Sequence, residues 1–155
     1  MRFVRKLSFL FFIGTSTLSS KDEPKLPRNA CMRSSTVNLH VGPGLQYPVD
    51  WILTLKHMPV VVISEFGQWR RIKLCDGTVG WVHRSLLSSK KTAMLLRESL
   101  MFASTSESSK KIARLEKDVV VAVVKQKDKW TKVVVTTPDG DKFTGWVVTR
   151  GLWGV

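Results

Sequence analysis

Residues 69–82 read WRRIKLCDGTVGWV, and residues 130–147 read WTKVVVTTPDGDKFTGWV. Both stretches begin with Trp, contain an Asp-Gly pair where a tight turn is expected, and close on Gly-Trp-Val. The second is longer by two residues before its turn and by two after it. Because strand side chains alternate between faces, this even change leaves every side chain on its original face. The repeat predicts two small β modules of about 60 residues each.

The hairpin also predicts where the core lies. A two-residue turn at Asp76-Gly77 sets Ile72 opposite Trp81, on the face that is expected to be buried. The same construction in the second stretch gives Trp146 the same position, so Trp81 and Trp146 are predicted core residues. The other face carries two indoles that are either surface aromatics or partly covered by a loop: Trp69 and Trp130.

The N-terminus has the pattern of a secretory signal peptide. Residues 1–6 are rich in cations, residues 7–13 are almost wholly apolar, and small residues follow as far as Ser20. We predict a signal peptide at residues 1–19 and an exposed linker at residues 20–28; an uncleaved N-terminal anchor is the alternative. No later apolar run is long enough to span a bilayer. We therefore expect an exported protein, periplasmic or associated with the cell envelope.

The chain is strongly basic. Its formal charge of +13 falls to +10 without residues 1–19, because that segment holds three cations and no acid. Such a charge usually indicates a nucleic-acid partner, but export disfavours that partner and favours an anionic envelope surface. A basic stripe is available for such a contact, although its members also suit ordinary solvated loops: Lys90, Lys91, Lys110 and Lys111.

Two cysteines, Cys31 and Cys75, allow one intramolecular pairing. Export makes a disulfide between them chemically possible. Two independent small residues are the other interpretation, because the sequence does not show whether the side chains meet.

Module one, at residues 29–87, resembles a bacterial SH3-like (SH3b) domain. The resemblance rests on VNLHVGPG at residues 37–44, WRRI at residues 69–72 and DGTVGWV at residues 76–82, in that order. The family usually carries Arg where this chain has His40.

Module two, at residues 92–155, is similar to a diverged second copy. It keeps Trp130 and the Gly-Trp-Val motif at residues 145–147, but a Ser-rich loop at residues 104–109 stands where module one has Gly-Pro-Gly. The resemblance implies an all-β fold of two tandem half-open barrels, each of five to seven strands. It also implies a binding or targeting role, often toward cell-wall peptides.

No catalytic motif accompanies these modules. The histidines His40, His57 and His83 lack metal-ligand spacing, the carboxylates are scattered, and neither cysteine begins a helix. We therefore expect no enzymatic activity, no catalytic residues, no metal and no cofactor.

An aromatic and basic groove on module one is the candidate ligand site. An exposed indole beside a guanidinium suits stacking and carboxylate capture. The alternative is that Tyr47 and Trp51 fill the ends of the barrel. The candidate residues are Tyr47, Trp51, Trp69 and Arg71.

The sequence thus favours an exported, non-catalytic binding protein that recognises a cell-wall component, namely the peptide part of peptidoglycan, or another envelope component. A protein-protein adaptor, and an accessory or inhibitor of an envelope hydrolase, remain alternatives. Nucleic-acid binding is the least favoured.

Overall fold

The computed structural model describes residues 25–155, and in that part of the chain the predicted all-β class is confirmed. The strands form two successive sheets of seven. The predicted signal peptide at residues 1–19, and the start of the predicted linker, lie outside the described residues. None of the helices within residues 25–155 has the length and apolar character needed to span a bilayer.

Each sheet takes its strands from one module. The first contains β1 (Arg28–Met32), β2 (Val37–His40), β3 (Val49–Leu53), β4 (Pro59–Phe66), β5 (Trp69–Lys73), β6 (Val79–His83) and β7 (Leu87–Ser88). The second contains β8 (Thr92–Leu95), β9 (Ser99–Phe102), β10 (Lys111–Leu115), β11 (Val120–Lys127), β12 (Trp130–Thr136), β13 (Lys142–Val148) and β14 (Leu152–Trp153). Short 3₁₀ helices at Arg84–Leu86 and Thr149–Gly151 precede the last strand of each sheet.

The two sheets have the same topology. The strand order is β3-β2-β6-β5-β4-β1-β7 in the first and β10-β9-β13-β12-β11-β8-β14 in the second. Leu39 lies on β2, which is second in the order across the first sheet, and Met32 lies on β1, which is sixth. Both belong to one buried cluster. Met101 and Leu95 occupy the matching strands and share the second cluster. A single sheet brings such distant strands to one core only by curling around it, so each module has its own interior.

Backbone conformation also repeats between the modules. Three pairs of equivalent positions in the two modules have a positive φ, a conformation that favours Gly and tolerates Asn, Asp and His. The matching pairs are His57 (60°) with Asp118 (66°), Gly67 (52°) with Asp128 (52°), and Gly77 (92°) with Gly140 (93°). The modules therefore share turn geometry as well as strand order.

The turn of each long hairpin contains three residues, where the sequence analysis predicted two. The N–H of Leu74 donates to the carbonyl oxygen of Thr78 at 2.9 Å, and the N–H of Gly77 donates to that of Leu74 at 3.1 Å. In module two the N–H of Thr137 donates to the carbonyl oxygen of Asp141 at 2.9 Å. A glycine in the left-handed region closes each loop, as this type of hairpin requires.

The extra loop residue moves Trp81 out of the core, so the prediction that it is a core residue is wrong. Ile72 pairs with Gly80, whereas Trp81 pairs with Arg71. A register shift of one residue sends every side chain to the opposite face. Val82 consequently faces the interior with 0% exposure, and Trp81 is half-buried on the other face.

The same correction applies to Trp146 in module two. It pairs with Lys132 and is half-buried, while Val147 is buried in the core. The ammonium groups of Lys125 and Lys132 lie 5.6 and 5.9 Å from the centre of its ring. The even lengthening predicted for this hairpin is observed, because β12 and β13 each have seven residues where β5 and β6 have five.

The disulfide considered from the sequence is not present. Both Cys31 and Cys75 are free thiols, the first buried and the second half-buried. Cys31 lies on β1 and Cys75 follows β5, and β4 runs between these two strands. Two strand spacings amount to about 9.5 Å, which exceeds the Cα separation of about 7 Å that a disulfide can bridge.

Candidate functional site

Trp69 sits between two imidazole rings at one end of module one. It begins β5 directly after the turn at Gly67-Gln68, and pairs with His83 on β6. Its ring centre lies 5.3 Å from that of His40 and 5.8 Å from that of His83, and both contacts are edge-to-face. Such geometry is favourable for aromatic pairs and holds the half-buried indole in one orientation.

Hydrogen bonds fix both imidazoles. The Nδ1 of His40 lies 2.9 Å from the carbonyl oxygen of Tyr47, so this nitrogen carries a proton and donates it. The Nδ1 of His83 lies 2.7 Å from the Oγ of Ser85 and accepts from the backbone N–H of Ser85 at 3.3 Å. His83 also caps the first 3₁₀ helix through that contact. Both rings are therefore held by bonds outside the site.

Two adjoining hollows open around this indole, with volumes of about 330 and 460 Å³. Leu45, 83% exposed, lies at the boundary that they share. No carboxylate lines either hollow. We call their combined space the Trp69 groove. Its lining residues are Thr36, Val37, Asn38, His40, Pro43, Gly44, Leu45, Gln46, Gln68, Trp69, His83 and Leu86.

Of the four residues predicted for the ligand site, Trp69 lines this groove. Tyr47 is 40% exposed and contributes its carbonyl oxygen to His40. Trp51 is 56% exposed on the edge strand β3. Arg71 is exposed two residues beyond Trp69, on the same face of β5. A single site made of all four residues stays a prediction.

His40, His83 and Leu45 were not predicted from the sequence as members of this groove. The signal for the two histidines lies in the comparison of the two modules. His40 pairs with Trp81 as Phe102 pairs with Trp146. A parallel exchange places Val148 where module one has His83, directly after Gly-Trp-Val. Imidazole rings thus surround Trp69 in module one, whereas apolar side chains surround the equivalent Trp130 in module two.

The equivalent position in module two is closed. Trp130 is 4% exposed, lies edge-to-face against Phe102 at 5.6 Å, and pairs with Val148. The ammonium of Lys129 lies 5.8 Å from its ring centre. The same scaffold therefore buries one indole and leaves the other accessible.

The groove offers binding chemistry. An indole face and the side-chain amides of Asn38, Gln46 and Gln68 can contact apolar and hydrogen-bonding groups of a ligand together. Within residues 25–155, no three His, Cys, Asp or Glu side chains are grouped so as to hold a metal ion.

Comparison with known proteins gives a family match in both modules. The family described as "Bacterial SH3 domain" matches residues 33–89 and residues 97–154. Comparison with curated proteins found no match.

The solved structures that match this chain include three proteins named for NlpC. NlpC2 and NlpC1 from Trichomonas vaginalis are each 10% identical with a TM-score of 0.36; the aligned regions cover 82% and 81% of this chain and 48% and 45% of theirs. An NlpC/P60 family protein from Bacillus cereus ATCC 10987 is 12% identical with a TM-score of 0.37, over 81% of this chain and 55% of that one. This chain thus spans about half the length of these proteins.

Proposed function

The chain belongs to the bacterial SH3 domain family, of which it carries two tandem copies, and from this premise we propose that it is an exported, non-catalytic binding protein of the cell envelope. Its first module recognises the peptide part of the cell wall or another envelope component. The family is one of binding domains. Export rests on the leader-like sequence of residues 1–19.

The observation that carries the proposal is the contrast between Trp69 and Trp130. Both begin the same strand of the same scaffold, yet Trp69 is half-buried in an open groove and Trp130 is 4% exposed. An exposed indole costs hydrophobic stabilisation, because burying it would remove a large apolar area from water. Retaining it in one copy is understandable if a ligand covers it.

A peptide fits the chemistry of this groove. Backbone amides of a peptide can exchange hydrogen bonds with side chains such as Asn38 and Gln46, while a short apolar side chain stacks on Trp69. Arg71 lies on the same face of β5 and would pair with a carboxylate of the peptide. Tyr47 and Trp51 would extend the contact area if the ligand runs past the groove.

Co-sedimentation with purified cell-wall sacculi tests the proposal. We expect the wild-type protein, without residues 1–19, to be retained at moderate salt. Trp69→Ala removes an anchor that contributes about 2 kcal/mol, which raises the dissociation constant about 30-fold. Trp146→Ala is the matched control, since it deletes a half-buried indole from the other module and is expected to change affinity less than about threefold. Absence of retention, or equal losses in both variants, would reject the proposal.

A specific observation also favours a second candidate, a protein-protein adaptor or an accessory or inhibitor of an envelope hydrolase. The edge strand β3 exposes Trp51 by 56% and Ile52 by 62%. The matching residues on the edge strand of module two are Ala113 and Arg114. An exposed apolar edge pairs readily with a strand of another protein, whereas charge discourages such pairing.

Replacing the edge residues of module one with those of module two separates the two candidates. The variant Trp51→Ala/Ile52→Arg is expected to lose a polypeptide partner that the wild-type protein captures from envelope extracts, while it still sediments with sacculi. Loss of sacculus binding with no change in captured proteins would instead assign β3 to the wall ligand.

A further inference from the structure

A second groove runs along the joint between the two modules. Two hollows of about 290 and 530 Å³ adjoin there, and both are lined by Asn29, Ala30 and Ser89. One continues over module one past Arg84, and the other continues over module two past Lys125 and Gln126. We call the combined space the joint groove. It shares no lining residue with the Trp69 groove.

Cations line the joint groove over its whole length. The lining includes six basic side chains and no Asp or Glu: Arg28, Arg70, Arg84, Lys90, Lys91 and Lys125. Glu65, outside the lining, pairs with Arg28 and also with Arg70 at 3.1 Å. Within residues 25–155 the other four cations make no ion pair. The groove therefore carries an excess of uncompensated positive charge.

The docked modules hold this groove in shape. The hydroxyl of Thr92 donates to the carbonyl oxygen of His57 at 2.9 Å, which ties β8 to the segment before β4. A Cβ added to Gly154 would lie 2.6 Å from the Cβ of Pro59, so the two modules are in close contact there. Burial, and then the positive charge of Lys90, lower the pKa of His57 beside this contact. The cations thus meet at a packed boundary.

We propose that the joint groove binds a linear polyanion whose repeating charged groups are phosphates or carboxylates. Guanidinium groups form paired hydrogen bonds to both kinds of oxyanion, and lysines add point charges along the path. A linear ligand suits the joint groove because the basic side chains of the groove are spread along two adjoining hollows. This goes beyond the proposed function, since it gives the protein a second ligand at a second site.

Isothermal titration calorimetry with inorganic polyphosphate at several salt concentrations tests the proposal. We expect binding that weakens steeply as salt rises. Lys90→Gln/Lys91→Gln removes two charges from the groove and is expected to weaken binding at least 10-fold. Lys110→Gln/Lys111→Gln removes the same charge at β10, at the far edge of the second sheet from β8, and is expected to weaken it less than threefold.

Two further ligands identify the charged group and the class of polymer. Poly-glutamate of matched charge shows whether carboxylates serve as well as phosphates, and binding of either polymer through Lys90 and Lys91 supports the proposal. A single-stranded oligonucleotide of equal charge that binds much more tightly than polyphosphate would overturn it in favour of a nucleic-acid site. Equal losses in the two double variants, or no binding of polyphosphate or poly-glutamate at low salt, would also overturn it.

The Trp69→Ala variant keeps this proposal separate from the function of the Trp69 groove. It is expected to bind polyphosphate like the wild-type protein while losing sacculus binding. Circular dichroism of every variant shows whether the fold is retained.

Discussion

The Gly-Trp-Val motif predicts a large penalty for a single methyl group at Gly80. Gly80 lies on the core face of β6, and an added Cβ would stand 2.4 Å from the Cγ of Leu39 and 2.8 Å from its nearer δ carbon. Ordinary carbon contacts lie near 3.5–4.0 Å, so Leu39 would have to move by roughly 1 Å. Leu39 is 0% exposed and has little space to move into. Overpacking of this kind costs about 1–3 kcal/mol, more than the roughly 0.5–1 kcal/mol that Ala gains over Gly within a strand.

We therefore expect Gly80→Ala to lower the free energy of unfolding by about 1 kcal/mol, which is the overpacking cost less the gain of Ala over Gly. Leu39→Ala alone should cost about 3 kcal/mol through the cavity that it leaves. In the double variant the new methyl group occupies part of that cavity, so the combined cost should fall at least about 1 kcal/mol below the sum of the single costs. Equilibrium urea denaturation, monitored by intrinsic fluorescence, measures the free energy of unfolding of all three variants.

Gly67→Ala is the control for this cycle. Its φ is +52° and an added Cβ would meet nothing within 4 Å, so the expected cost of about 1 kcal/mol comes from backbone strain alone. It should show no coupling to Leu39→Ala. A neutral or stabilising Gly80→Ala, or strictly additive costs with Leu39→Ala, would refute the packing explanation of the motif.

Three other predictions concern charge, pH and thiols. Glu65→Gln removes the acid partner of two arginines in the joint groove, so it should raise the affinity for polyphosphate about twofold. Because the ion pairs are partly exposed, it should lower the free energy of unfolding by at most about 1 kcal/mol. Calorimetry measures the first effect and urea denaturation the second. His57 has a pKa below its ordinary value of 6.5, mainly through burial and then through Lys90, so the unfolded chain binds more protons in the window just below pH 6.5 and stability falls as the pH drops through it. His57→Asn, which tolerates the φ of 60°, should flatten that pH dependence in thermal unfolding, and an unchanged slope would contradict the assignment. Burial, and then the charge of Asp76, raise the pKa of the Cys75 thiol, and Cys31 is 0% exposed. A thiol reagent should therefore modify only Cys75, and slowly, in the native protein, but both cysteines in urea. No modification in urea would indicate that the two cysteines form a disulfide.

The fold was predictable because its signals are local and occur twice. The Asp-Gly pairs, the β-branched runs and the two Gly-Trp-Val motifs mark hairpins at fixed positions, and a second copy of a pattern makes chance agreement improbable. The even lengthening of the second hairpin also followed from the alternation of strand faces. Those features depend on neighbouring residues in the chain, which a sequence displays directly.

The register of the hairpin was not predictable from the same signals. Asp-Gly suits both a two-residue turn and the last two positions of a three-residue turn, and the two differ by one residue in pairing. That difference decides whether Trp81 or Val82 faces the core. The glycine of the motif held the missing information, because only the shifted register places Gly80 against Leu39, where no Cβ fits.

The candidate site was only partly predictable, since its members come from three separate segments. Trp69 was identified because the alternation of strand faces puts it on the side away from the core, beside Arg71, where an indole and a guanidinium suit a ligand. His40 lies on β2 and His83 on β6, and their approach to Trp69 depends on the strand order β2-β6-β5, which no local pattern reports. Histidines without metal spacing gave no reason to place them together.

A duplicated scaffold separates what the fold requires from what one copy has acquired. The glycines at Gly80 and Gly145 face a buried side chain too closely for any Cβ, and both copies keep them. One difference between the copies falls around this indole: polar rings in module one stand where module two has Phe102 and Val148. Both versions support the same sheet, so stability alone does not demand the histidines. Their position beside an open indole supports the binding role proposed for module one.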